Sequence, residues 1–167
     1  MPRVTGSWTG ISSPVRDYSS TESYGYVYSS GAVVDSRGVC PEGWKVASRD
    51  DYINLLASIG SYNAYNLRSC RQVGSPLGGE CATSILPRWN SSANYGTDDL
   101  GFSLLPGGYK YSSSQWPYIG DGYHLWTSTP NGSSLYEVSN TGGDTISTAG
   151  SFPVNSAYGL YIRCIKE

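Results

Sequence analysis

The sequence offers few groups for acid–base or nucleophilic chemistry, and they are widely spaced. His124 is the only histidine, and it stands between Tyr123 and Leu125 in a strand-like run. A Ser-His-Asp hydrolase would have to use this imidazole, yet the chain lacks the Gly-x-Ser-x-Gly elbow that presents the serine in α/β-hydrolases. We therefore expect His124 at the surface or at the rim of a site, where an imidazole can stack on a ligand and hydrogen-bond to it.

The densest acidic pair is Asp98 and Asp99. Glycosidases place two carboxylates on either side of one bond, whereas neighbouring residues of an extended chain point to opposite faces. The pair also precedes residues 102–105 in a turn-like stretch, where Asp commonly accepts hydrogen bonds from the backbone. A structural role is therefore expected, and a carbohydrate-active enzyme that uses Asp98 or Asp99 is an alternative.

Aromatic side chains interleaved with small polar residues dominate residues 109–140. Rigid rings supply contact area, and Ser, Gly and Asn supply adaptable hydrogen bonds, a composition typical of recognition loops. The sequence therefore predicts a polar-aromatic binding face. The predicted ligand-binding residues are Tyr109, Tyr111, Trp116, Tyr118, Asp121, Tyr123, His124, Ser133, Ser134, Tyr136 and Asn140. Four tyrosines of this set are expected to be exposed: Tyr111, Tyr118, Tyr123 and Tyr136.

Composition narrows the class of protein. Charged residues make up 14% of the 167 residues, and the formal net charge is -2. Without a basic stripe, nucleic-acid binding by phosphate neutralisation is not indicated. No apolar run is long enough to cross a bilayer, and residues 1–5 do not begin a signal peptide. The length favours one domain, and the abundance of Gly, Ser and Tyr favours a loop-rich β fold over a helical bundle.

The cysteines are even in number and lack the CxxC pairing of metal sites. They are Cys40, Cys70, Cys81 and Cys164. Residue spacing leaves all three disulfide connectivities open. Disulfides would indicate an oxidising compartment, and the chain would then be a mature domain excised from a longer protein or a protein released by lysis, such as a phage structural component. The alternative is four buried thiols in a cytosolic protein.

One helix is predicted from local signals between residues 48 and 60. Ser48, followed three residues later by Asp51, resembles a capping box. An apolar stripe at helical spacing follows, and Gly60 is a typical C-terminal stop. The stripe consists of Tyr52, Leu55, Leu56 and Ile59. A second, weaker helix is predicted within residues 62–69.

Strands are predicted mainly in the second half of the chain. The predicted strands are residues 32–34, 102–105, 123–128, 135–138 and 158–165. The last of them alternates in a way that buries both faces, and residues 140–144 form a tight turn before it. The alternation of Tyr24, Tyr26 and Tyr28 would place three rings on one face of a further strand.

Three sequence blocks occur in a fixed order at residues 39–44, 96–110 and 160–165. They read Val-Cys-Pro-Glu-Gly-Trp, Gly-Thr-Asp-Asp-Leu-Gly-Phe-Ser-Leu-Leu-Pro-Gly-Gly-Tyr-Lys and Leu-Tyr-Ile-Arg-Cys-Ile. Through them, residues 31–167 resemble the Fibrobacter succinogenes major paralogous domain, a module of secreted and surface proteins. The resemblance implies an α+β, C-type-lectin-like fold, with one or two helices packed on a twisted antiparallel sheet and long irregular loops. Residues 1–30 fall outside it, as an N-terminal extension or an edge strand.

The resemblance also implies roles for particular residues. It brings the turn at Cys40 beside the last strand, so that Cys40 pairs with Cys164 and Cys70 pairs with Cys81. Trp44 and Trp126 occupy motif positions of the family and are expected in the core.

The resemblance does not imply metal or cofactor chemistry. Sugar-binding C-type lectins usually carry Glu-Pro-Asn or Gln-Pro-Asp together with Trp-Asn-Asp, whereas this chain has Thr129-Pro130-Asn131, and serine follows Trp89-Asn90. Formylglycine-generating enzymes share the lectin-like fold, but Cys40 and Cys164 fall at structural positions of the family. We therefore expect no metal, no cofactor and no enzymatic reaction.

The function that the resemblance implies is recognition of a protein or glycan ligand, outside the cell or on its surface. Variable proteins of diversity-generating retroelements also use lectin-like folds, some similar to this family, and they vary residues encoded by adenine-containing codons. The Tyr, Ser and Asn content of residues 109–158 resembles the product of that process, which would make the chain a hypervariable receptor-binding protein. The alternative is a structural subunit of a fimbria or phage virion, in which the aromatic face would be a subunit interface.

Overall fold

A computed structural model describes residues 24–60, 63–90, 95–112, 115–154 and 156–167. Most of the expected N-terminal extension lies outside these residues. Their architecture is mixed α+β, with few helices, small antiparallel sheets and long loops. The helices are α1 (Ser30–Val34), α2 (Arg49–Ser58) and two 3-10 turns, Ala64–Asn66 and Gly79–Cys81. The strands are β1 (Tyr28–Ser29), β2 (Trp44–Val46), β3 (Tyr123–Asn131), β4 (Ser134–Asn140), β5 (Ser151–Pro153), β6 (Gly159–Leu160) and β7 (Cys164–Lys166).

The strands pair in three antiparallel sheets. The largest has the order β3-β4-β5, and the other two join β1 to β6 and β2 to β7. Residues near both ends of the described chain therefore meet: Tyr28 pairs with Leu160, and Val46 pairs with Cys164. These pairings close the domain around the β3–β4 hairpin.

The β3–β4 hairpin is buried on both faces at residues 123–127 and along most of β4, whereas its tip is exposed. Alternate side chains of a strand point to opposite sides, so the hairpin contributes to two cores. One face carries Leu125 and Val138, which pack in the larger core against α2. The larger core also contains Tyr52, Leu56, Ala64, Leu67, Trp89, Leu104, Tyr123 and Ile146. The other face carries Trp126 and Leu135, which pack with Leu160 in a smaller, aromatic-rich core.

Helix α2 confirms the local prediction. Ser48 accepts a hydrogen bond from the backbone N–H of Asp51 (3.1 Å), and the Asp51 carboxylate accepts one from the backbone N–H of Ser48 (2.8 Å), so that the capping box is complete. Tyr52 and Leu56 are buried, and Gly60 adopts a left-handed φ of 67° just after the helix. The weaker prediction near residues 62–69 corresponds only to the 3-10 turn Ala64–Asn66.

Three strand predictions are wrong. Residues 32–34 belong to α1 instead, because the Ser29 side chain caps that helix by accepting from the backbone N–H of Ala32. Residues 102–105 form no strand, because Ser103 has a left-handed φ of 52°. The last predicted strand is divided into β6 and β7, because the chain changes partner from β1 to β2 and Tyr161 bridges to Leu125 of β3 between them.

The aromatic residues near the start of the described chain also differ from expectation. Tyr24 is buried and Tyr26 is 45% exposed, because Gly25 with φ 84° breaks the alternation that would have aligned them. The prediction that Trp126 is in the core is confirmed, whereas the prediction for Trp44 is wrong, since Trp44 is 45% exposed. Trp44 begins β2 opposite Lys166, at the outer end of the strand, and Val46 is the residue that reaches the core.

Both predicted disulfides are present. Cys40 is bonded to Cys164 and Cys70 to Cys81, with Cα separations of 5.8 and 5.1 Å. The first bond joins the loop before β2 to β7, the strand with which β2 pairs. Disulfides of this kind are typical of proteins outside the cytoplasm.

Candidate functional site

Two described segments, residues 109–112 and 115–118, lie beside each other and line an open groove. The backbone N–H of Tyr109 donates to the carbonyl of Pro117 (3.2 Å), and that of Tyr111 donates to the carbonyl of Gln115 (2.9 Å). The groove is lined by Tyr109, Tyr111, Gln115, Trp116, Pro117 and Tyr118. Four of these six residues are predicted ligand-binding residues, and Tyr111 and Tyr118 are 46% and 43% exposed, as expected.

Two glycines of the Pro-Gly-Gly-Tyr motif let these segments pack closely on the domain. A Cβ at Gly107 would come within 2.5 Å of the Tyr161 hydroxyl, which donates to the Gly107 carbonyl. Gly108 has a left-handed φ of 59°, and a Cβ there would overlap the carbonyl oxygen of Pro117. The two glycines therefore allow the backbone to approach Tyr161 on one side and the groove residue Pro117 on the other.

Tyr118 occupies a backbone conformation that is rare for a bulky residue. Its φ is 65°, in the left-handed region, where a residue with a side chain costs of order 1 kcal/mol or more. The conformation is held because the Tyr118 carbonyl accepts from the backbone N–H groups of Asp121 (3.0 Å) and Gly122 (2.8 Å). Glycine would adopt this backbone conformation at a lower cost in free energy than tyrosine does. Residues with such backbone strain are common at ligand-binding sites.

The groove rests on a packed aromatic base. The ring centroid of Tyr109 lies 4.5 Å from that of His124, 5.5 Å from that of Phe152 and 6.3 Å from that of Tyr158. Burial in this base raises the pKa of the Tyr109 hydroxyl. Sequence reasoning did not assign Phe152 and Tyr158 to the site, because they lie in other segments of the chain and join it only through tertiary packing.

His124 lies inside this base and not at the surface, so its expected exposure is wrong. It is 4% exposed, and its Nδ1 lies 2.7 Å from Oε2 of Glu137. The pairing follows from the register, in which His124 is opposite Ser139 and the same-face residue Glu137 is its diagonal neighbour. The available signal was that His124 is the only basic residue of β3 and Glu137 the only acidic residue of β4, but only the register connects them.

Other predicted ligand-binding residues do not line the groove. Tyr123 is buried in the larger core, so its expected exposure is wrong. Asn140 is also buried, and its side chain accepts from the buried Arg68 guanidinium. Tyr136 is less exposed than predicted, because the Arg49 guanidinium lies over its ring, 4.8 Å from the centroid. Three further residues, Asp121, Ser133 and Ser134, also lie outside the lining residues.

Asp98 has the structural role that was expected of it. Its carboxylate accepts from the backbone N–H of Ser103 (2.6 Å) and from the Ser103 hydroxyl. Within the described ranges, no three His, Cys, Asp or Glu residues are grouped so that they could hold a metal ion. No helix in the same ranges is long and apolar enough to span a membrane.

The comparison with known proteins agrees with the three motif blocks. The profile of the Fibrobacter succinogenes major domain (Fib_succ_major) matches residues 10–166. This match begins before the boundary at residue 31 that the motifs suggested, and the described residues 24–29 pack into the domain through the buried Val27. Neither the curated proteins nor the solved structures contain a match. Because the profile covers nearly the whole sequence, this chain belongs to the Fibrobacter succinogenes major domain family.

Proposed function

We propose that the domain recognises a protein or glycan ligand outside the cytoplasm, and that the groove lined by Tyr109, Tyr111 and residues 115–118 is the binding surface. The observation that carries this proposal is the pair of exposed rings, Tyr111 and Tyr118, at an open groove above a packed aromatic base. Exposed aromatic rings on a rigid support lose little conformational freedom on binding, and they are enriched where binding energy is concentrated. No covalent step is part of the proposal.

The scaffold supports this function. We propose that it is C-type-lectin-like, in keeping with its mixed α+β architecture, long loops and two disulfides. Binding folds commonly place variable loops on a rigid framework. Here the framework is the buried part of the β3–β4 hairpin, and Tyr109 and Tyr118 pack against it through His124.

Diversification of residues 109–158 is part of the proposal, and burial predicts where it would fall. Exposed positions such as Tyr111 and Tyr118 would vary, whereas Leu125, Trp126 and Val138 would not, since their side chains fill the two cores. Sequencing this locus from many sibling genomes tests the idea. Identical copies at the exposed positions, or equal variation at the buried ones, would contradict it.

The test of recognition is binding of a fluorescent, multimerised domain to a glycan array and to a panel of intact bacterial cells. Multimerisation makes a weak single site visible through avidity. Tyr111→Ala and Tyr118→Ala should each reduce a specific signal by about tenfold. Tyr26→Ala is the matched control, because Tyr26 is 45% exposed and lies outside the groove.

Two results would contradict recognition by the groove. One is a specific signal that Tyr111→Ala and Tyr118→Ala leave unchanged. The other is silence on both panels together with concentration-dependent self-assembly that the same two substitutions abolish, which would favour a structural subunit of a fimbria or virion.

A further inference from the structure

None of the described residues that line the groove is charged. Its six lining residues are three tyrosines, a tryptophan, a proline and a glutamine. A charged ligand would lose hydration on entering this groove without gaining an ion pair, which costs free energy. The lining therefore favours an uncharged ligand that offers apolar faces to the rings and polar groups to the Gln115 amide.

The imidazole of His124, which packs against two tyrosines of the groove, carries a hydrogen-bonding nitrogen with which no described residue pairs. The carboxylate of Glu137 only accepts hydrogen bonds, so Nδ1 of His124, 2.7 Å away, is the donor of that pair. In the neutral imidazole, Nε2 is then an acceptor. Among the described residues it has no hydrogen-bond partner, although it is buried. A buried acceptor without a partner destabilises the folded chain until a donor reaches it.

The ring of Tyr118 packs against the imidazole that carries this acceptor. Its centroid is 5.6 Å from that of His124, with 34° between the planes. The Tyr118 hydroxyl has no hydrogen-bond partner in the described part of the chain, and the side chain is 43% exposed. The ring can therefore turn outward without breaking a hydrogen bond of the protein.

We propose that the groove binds an uncharged glycan, whose sugar rings stack on Tyr111 and Tyr118 and one of whose hydroxyl groups pairs with Nε2 of His124. This inference rests on the proposed function and specifies its ligand class. A sugar offers apolar C–H faces and hydroxyl donors in one molecule. A proline-rich peptide also fits aromatic grooves, but its proline residues have no N–H to donate, and it is the competing outcome of the test.

The test is titration of the full chain with three kinds of probe. These are neutral hexasaccharides (of glucose, xylose, mannose and N-acetylglucosamine), anionic polysaccharides (polygalacturonate and hyaluronan) and a proline-rich decapeptide. We expect one of the neutral hexasaccharides to bind, with an affinity that changes less than about twofold between about 50 and 500 mM salt. Tyr118→Ala should weaken this binding about tenfold, and Tyr26→Ala should leave it unchanged.

The role of His124 is tested by altering the protein and, separately, by altering the sugar. Replacing both His124 and Glu137, by Phe and Leu, removes the acceptor without leaving a buried carboxylate unpaired. Deoxy analogues of the bound sugar remove one hydroxyl at a time. One deoxy analogue should bind to the wild-type chain about tenfold more weakly than the parent sugar does. The double variant should bind this analogue and the parent sugar with equal affinity. If the double variant does not fold, equal binding of every deoxy analogue to the wild-type chain still overturns the assignment.

The failures of the two proposals can be told apart. Binding of the anionic polysaccharide or of the peptide alone, abolished by Tyr118→Ala, would overturn the glycan inference and leave recognition by the groove intact. Binding of a neutral hexasaccharide that Tyr111→Ala and Tyr118→Ala do not affect would contradict the groove as the site, and with it both proposals.

Discussion

Nδ1 of His124 and Oε2 of Glu137 lie 2.7 Å apart, in a buried pair that joins β3 to β4, and the imidazole is part of the aromatic base of the groove. Ser139 also donates from its hydroxyl to Glu137 (3.3 Å). A buried polar pair across a hairpin favours one register of the two strands, because a slip would leave a buried group unpaired. The same pair supports the rings of Tyr109 and Tyr118.

The first prediction concerns this pair. His124→Phe leaves the Glu137 carboxylate buried without its partner and should lower the free energy of unfolding by about 3–5 kcal/mol. Glu137→Leu removes the acceptor of Nδ1 and should cost about 1–3 kcal/mol. The double variant should be more stable than the sum of the two losses predicts, because each single change includes the cost of a stranded partner. Chemical denaturation of all four proteins measures this, and strict additivity would contradict it.

The second prediction concerns Gly108. Gly108→Ala combines an unfavourable left-handed φ with overlap between the new Cβ and the carbonyl oxygen of Pro117. Gly132→Ala is the matched control, since Gly132 has the same φ of 59° and open space around it. We expect Gly132→Ala to cost about 1–2 kcal/mol, and Gly108→Ala to cost clearly more and to disturb the groove. Thermal unfolding measures the difference, and equal losses would show that the contact with Pro117 is unimportant.

The third prediction concerns the capping box of α2 and its dependence on pH. The hydrogen bond from Ser48 holds the pKa of the Asp51 carboxyl below its usual value despite partial burial. A lowered pKa in the folded state stabilises the protein above the unfolded-state pKa, near 3.8, and this contribution is lost as the pH falls through the folded-state value. At neutral pH, Ser48→Ala should cost about 1 kcal/mol.

Asp50 provides the control for this effect, because it also contributes a negative charge to the first turn of α2 but takes no part in the capping box. Asp51→Asn should therefore destabilise the protein more than Asp50→Asn at pH 7. The difference between Asp51→Asn and the wild-type protein should shrink below pH 3.8. Urea denaturation across this range measures it, and a difference that is constant with pH would be contrary to the prediction.

The fourth prediction concerns the disulfides. The bonds close loops with sequence separations of 124 and 11 residues. Loop-closure entropy then predicts that replacing Cys40 and Cys164 by Ser costs about 5 kcal/mol, and that replacing Cys70 and Cys81 costs about 3 kcal/mol. Denaturation of the two double variants tests the order. If the shorter loop proved the more important, contacts within residues 70–81 and not chain entropy would dominate.

Much of the candidate site could not have been predicted from sequence. The aromatic content of residues 109–118 correctly indicated exposed rings at Tyr111 and Tyr118, because that signal is local and compositional. The same composition predicted exposure for Tyr123, which is buried. A tyrosine in a strand next to a glycine-rich loop has no local feature that says which face of the sheet it occupies, and the face depends on what packs there.

The sequence by itself determined the features that depend on neighbouring residues, which are the capping box and the end of α2 and the two exposed tyrosines. It also determined the family and, through the family pattern, the two disulfide pairs. Tertiary structure alone decided which strands form from the last segment, that Trp44 is exposed, and that His124 is buried against Glu137. The physical reason is the separation along the chain of the residues that interact. A cap or a turn is complete within a few residues, whereas burial, register and the base of the groove depend on contacts between segments far apart in the chain.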